Sequence, residues 1–157
     1  MSELARNLNL TVVLLEDEID QREGLSQLLR DLTKWDVVAV ADSQECLDLV
    51  NKRHPSVAIL DVEISESDLQ GNDVARQIFR NRKGGWLPIV VMLTKYSALE
   101  IRNRNNPLGD AFIQKEYFLE DPGALVVFID KVYEAREAGL SLGPGPLIYD
   151  PEKHGMA

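Results

Sequence analysis

The chain has a single cysteine, Cys46. One thiol excludes an internal disulfide and any cysteine-rich zinc module. Positive charge is also short. Lys plus Arg number 17 against 26 Asp plus Glu, a formal −9 at pH 7 over 157 residues. With no surplus cation to exchange for counterions, the chain is a poor candidate for binding nucleic acid or an acidic membrane. Long apolar runs are missing too: Pro88–Leu93 and Leu125–Ile129 fall far short of a membrane span. The amino terminus, MSELARNLNL, has no apolar stretch ahead of a small-residue cleavage site. No secretory signal is therefore expected, and the simplest location is cytoplasmic. There is no glycine-rich nucleotide fingerprint and no Gly-Lys-Ser/Thr motif.

What is present suits one domain with a sizeable core: 45% hydrophobic and 27% charged residues. The period of the apolar residues changes repeatedly. Five short runs read as buried strands: Thr11–Leu15, Trp35–Val40, Val57–Leu60, Pro88–Leu93 and Ala111–Gln114. Helical spacing falls between and after them. Leu25, Leu28, Leu29 and Leu32 form one stripe, and Cys46, Leu47 and Val50 another behind a Ser43 cap. Val74, Ala75, Ile78 and Phe79 form a third, and Ser97–Arg104 offers a short fourth helix. Asp121 followed by Pro122 predicts the start of a fifth, with Leu125, Val126, Ile129, Val132 and Tyr133 along it. Strand and helix alternate five times, which implies an α/β fold with a doubly wound parallel sheet covered on both faces. The expected organisation is an extension over 1–9, a domain over 10–138, and a Gly/Pro-containing tail or linker over 139–157.

In such a sheet the functional crevice lies at the carboxyl ends of the strands. Glu16 and Asp17 follow the first strand, Asp61 the third, Thr94 the fourth and Lys115 the fifth. Standing alone, Glu16-Asp17-Glu18 would be ordinary helix-start acid. Gathered at one edge with Asp61, these carboxylates would repel one another unless a hard cation neutralised them. Mg²⁺, or Mn²⁺, fits that need with oxygen ligands and retained waters. Asp17 and Asp61 are the natural direct ligands. Glu16 acts directly or through water, and the backbone carbonyl of Glu63 completes the protein's share.

The pieces VVLLEDE at 12–18, VAILDV at 57–62, VVMLT at 90–94 and AFIQK at 111–115 resemble the receiver domain of two-component response regulators, the CheY-like superfamily. The resemblance covers residues 10–138. It implies a flavodoxin-like (βα)5 fold of strand order 2-1-3-4-5. It also implies a phosphoacceptor signalling module, not a turnover enzyme, that takes a phosphoryl group from a histidine kinase or histidine phosphotransfer protein with Mg²⁺ bound. On that resemblance Asp61 is the phosphoacceptor, Glu16 and Asp17 the acidic pair, Thr94 the phosphoryl-contacting hydroxyl and Lys115 the phosphoryl-contacting lysine. Phe112 is the aromatic that changes rotamer on activation.

Four features depart from the family. The 62–71 loop is long and adds Glu63, Glu66 and Asp68. Glu116 replaces the proline that normally follows the lysine through a cis bond; a non-proline cis bond costs roughly 2.5–4 kcal/mol, so a trans bond is expected. Lys95, followed by Tyr96, stands where the family usually has a small residue after Thr94. The fourth helix is polar, IRNRNN at 101–106, which counts against the family's common dimer while leaving a homodimer open. These departures motivate an alternative, an atypical receiver acting as a phosphorylation-independent protein-interaction adaptor.

Overall fold

In a computed structural model the described residues are 9–61, 71–81, 88–95, 109–139 and 147–154. Six strands form one parallel sheet: β1 (Thr11–Leu15), β2 (Asp36–Val40), β3 (Val57–Asp61), β4 (Ile89–Thr94), β5 (Ala111–Gln114) and β6 (Leu147–Ile148). Their order is β2-β1-β3-β4-β5-β6. The first five strands thus lie in the expected order 2-1-3-4-5, and a sixth is added at the β5 edge. The helices are α1 (Ile19–Leu32), α2 (Ser43–Arg53), α3 (Gly71–Asn81), α4 (Lys115–Glu120), α5 (Pro122–Glu137) and α6 (Pro151–His154). The proposed helix over 97–104 and residues 62–70 of the expected 62–71 loop lie outside the described residues; Gly71, expected in that loop, begins α3.

Strand alternation divides the core in two. Val12, Leu14, Ile59, Leu93 and Ile113 face α1 and α5. Val13, Leu15, Leu60, Met92 and Phe112 face α2 and α3. β3 and β4 lie at the centre and every residue in them is buried, as a parallel strand covered on both faces requires.

Local chemistry sets the helix ends. Asp42, not the expected Ser43, caps α2: its Oδ2 accepts from the Glu45 amide at 3.0 Å. A charged acceptor makes the stronger cap bond, and Ser43 becomes the first helical residue. His54 ends α2 in the left-handed region, with its amide on the Val50 carbonyl. Asp121 caps α5 through the Ala124 amide at 3.1 Å, with Pro122 at the first helical position as expected. On α1, Leu25 and Leu29 are buried, whereas Leu32 is 39% exposed because the helix ends there.

α5 is buried over much more than one stripe, from Ala124 through Asp130. A helix buried so widely needs a second cover. Tyr149, just beyond β6, provides part of it: its ring meets Phe128 edge-on at 5.4 Å and Tyr117 at 5.8 Å.

Candidate functional site

The carboxyl ends of β1, β3, β4 and β5 bring the candidate residues to one edge. Glu16 extends β1 by one residue, its amide donating to the Val40 carbonyl at 3.0 Å. Asp61 is the last residue of β3, Thr94 the last of β4, and Lys115 the first of α4. Glu16 is fully buried, Asp61 and Thr94 nearly so, and Asp17 half-buried.

Lys115 bridges two of the acids. Its Nζ lies 2.7 Å from Glu16 Oε1 and donates to Asp61 Oδ2 at 2.9 Å. Burial pushes the Glu16 carboxyl up to about 7; Lys115 pulls it down and Asp61 adds to the rise. Burial by itself would lower the Lys115 ammonium, but the Glu16 and Asp61 carboxylates outweigh it and hold the group above its ordinary value. Among the described peptide bonds none is cis, so Lys115–Glu116 is trans as expected. Without proline, the chain continues straight into α4, which periodicity did not reveal.

Each of Glu16, Asp17 and Asp61 offers an oxygen within 4.8 Å of the others. The three carboxylates outnumber the Lys115 ammonium that bridges two of them. This all-oxygen, acid-rich donor set fits a hard divalent cation that keeps several waters, as Mg²⁺ or Mn²⁺ does. Glu63, the fourth expected contributor, lies outside the described residues. Phe112 sits one strand away, paired with Met92 on β4 and 5% exposed. Sheet alternation puts Thr94 on the same face as Met92 and Phe112.

One residue at the site escaped sequence reasoning. Arg22, in the first turn of α1, donates through Nη1 to the carbonyls of Glu16 at 3.1 Å and Asp17 at 3.2 Å. It fixes the backbone of the acidic pair from the helix that follows it. Only its spacing of five and six residues from the acids hinted at this. A groove of about 210 Å³, lined by Gln21, Leu25, Lys115 and Glu116, runs beside the ammonium.

The arrangement of sheet, acidic edge and bridging lysine is accompanied by direct likeness. Residues 12–125 match the family described as response regulator receiver domain, and the chain belongs to that family. The probable transcriptional regulator ycf27 of Porphyridium aerugineum is 30% identical over 107 residues, 68% of this chain and 42% of that protein. The transcriptional regulatory protein PdtaR of Mycobacterium tuberculosis is 29% identical over 111 residues, 70% of this chain and 51% of that protein. The chain thus spans about half the length, or less, of these curated relatives. Among solved structures, the response regulator PhyR from Brucella abortus superposes with a TM-score of 0.68 at 21% identity, covering 87% of this chain and 53% of that one. The receiver domain of the Francisella response regulator 1452 gives 0.67 at 16% identity, covering 82% of this chain and 99% of that one. Receiver domains are signalling domains that bind Mg²⁺ at an acidic pocket, and in this chain Glu16, Asp17 and Asp61 form an acidic cluster. Among the described residues, no helix is long and apolar enough to cross a membrane.

Proposed function

We propose that the chain is a phosphoacceptor. It takes a phosphoryl group on Asp61 from a histidine kinase or histidine phosphotransfer protein in the cytoplasm, and it changes its protein contacts as a result. The observation that carries this reading is the Lys115 ammonium bridging Asp61 and Glu16 beside a third carboxylate. An Asp61 carboxylate oxygen forms the new bond to phosphorus while the phosphorus–nitrogen bond of the donor breaks and the imidazole leaves. Lys115 moves with the new charge and pairs with a phosphoryl oxygen, leaving Asp61 and keeping a positive group over the site. Thr94 donates its hydroxyl to another phosphoryl oxygen. Drawn toward the site, it opens space on the face it shares with Phe112, whose buried ring changes rotamer into that space. Glu16, Asp17 and Asp61 would hold Mg²⁺, which when bound supplies charge neutralisation for the transferred group.

The test is intact mass after incubation with acetyl phosphate and Mg²⁺. Wild type is expected to gain one phosphoryl group and Asp61→Asn none. A wild-type protein that gains nothing contradicts the reading and leaves the adaptor function in its place.

A further inference from the structure

β6 has no counterpart in the five-stranded sheet expected from the sequence, and its position bears on how the site would be read out. Leu147 pairs with Ala111 and Ile148 with Phe112, and the Tyr149 amide donates to the Phe112 carbonyl at 2.9 Å. The segment grips both faces of the sheet at the β5 edge. Ile148, 8% exposed, joins the core cluster of Phe112 and Met92. Tyr149, 3% exposed, joins the opposite cluster through Phe128 and Tyr117. Without β6, the outer edge of β5 would present unpaired backbone groups, a template for another strand. The cover is short, with two ladder positions and one further amide. It is therefore the kind of element that opens before the rest of a domain.

We propose that the 147–152 segment is a displaceable cover on the β5 edge, held by Phe112 and released when Asp61 is phosphorylated. This rests on the phosphoacceptor reading above. The chain of contacts is continuous. Thr94 shares a sheet face with Met92 and Phe112, and Phe112 carries Ile148 by side-chain packing and Tyr149 by its carbonyl. When the buried Phe112 ring shifts toward Thr94, Ile148 loses its cross-strand neighbour and the grip on that face fails. The linkage is reciprocal, so freeing the segment favours the phosphorylated state by the same factor.

Amide hydrogen exchange on the full chain tests this, comparing Mg²⁺ alone with Mg²⁺ plus beryllofluoride, an acyl-phosphate mimic. Exchange over 147–152 is expected to accelerate by about 5-fold or more, within the range typical of allosteric coupling, while β1 and β3 stay protected. In the reciprocal arm, Ile148→Glu is expected to free the segment and tighten beryllofluoride binding by a similar factor, with Tyr149→Ala as a milder second variant. Altered exchange around Asp61 and Thr94 with unchanged exchange over 147–152 overturns the coupling and leaves the phosphoacceptor reading standing. No change at Asp61 or Thr94 overturns both.

Discussion

Asp130 offers a test of the packing that is independent of the acidic edge. It lies on α5, fully buried, and neither of its carboxylate oxygens has a hydrogen-bond partner among the described residues. Burial pushes its carboxyl up to about 7, and Glu134 one turn along adds to the rise. The Trp35 indole N–H lies on its side and favours the charged form, but closes no hydrogen bond of normal geometry. The folded-state value thus lies above the ordinary 3.8. Between those two values the folded chain keeps a proton that the unfolded chain has lost. The contribution of Asp130 is therefore fully present below about pH 4 and is lost as pH rises toward and through 7. At about 1.4 kcal/mol per pH unit, the loss between pH 5 and pH 7 is about 2–3 kcal/mol. Asp130→Asn keeps the shape, removes the titration and offers an acceptor to Trp35. Glu16, at the opposite functional edge, is present in both proteins, and its contribution cancels in the difference. Thermal melts of the two proteins at pH 5, 6, 7 and 8 are the assay. The variant is expected to gain on wild type by about 5–10 °C between pH 5 and pH 7, at about 2–4 °C per kcal/mol for a chain of this size. A difference that stays flat from pH 5 to pH 8 refutes a buried, unpaired carboxyl at this position.

Three further outcomes follow from named contacts. Gly109 has φ +146°, and a Cβ there would lie 2.7 Å from Met92 Cγ and 3.2 Å from Phe112 Cζ; Gly109→Ala is expected to cost about 2 kcal/mol in urea unfolding, and a neutral result contradicts the close approach. Arg22→Ala frees the Glu16 and Asp17 carbonyls, so Mg²⁺ affinity by calorimetry is expected to fall about 10-fold with little change in stability; equal affinity removes Arg22 from the site. Lys115→Met leaves buried Glu16 and Asp61 without their cation, at a cost of about 3 kcal/mol that saturating Mg²⁺ partly restores. An unfolding midpoint that neither falls nor responds to Mg²⁺ contradicts the bridge.

The first five strands were legible because a parallel sheet buried on both faces must be written in short β-branched runs, as Val57–Leu60 is. The acidic edge was legible for a related reason: Glu16, Asp61 and Thr94 each stand directly after such a run, where the chain must leave the sheet. Interactions through the backbone left less trace. Arg22 binds two carbonyls, which carry no residue type to read. β6 has only two residues, too few for alternation, and follows a Gly/Pro stretch that reads as linker. α4 begins at the residue that ends the fifth strand's motif, so its helical period had no room to show. Asp130 interrupts an apolar stripe, where a single acid ordinarily marks a solvent-facing position. It is buried because α5 is covered on more than one side.

The central claim is that Asp61 receives the phosphoryl group, and the most direct measurement locates it chemically. After reaction with acetyl phosphate and Mg²⁺, borohydride reduces an acyl phosphate on aspartate to homoserine, and fragment masses identify the altered residue. The account predicts homoserine at position 61 alone, dependent on Mg²⁺. Homoserine at another acidic residue, or at none while the protein takes up phosphate, would contradict it.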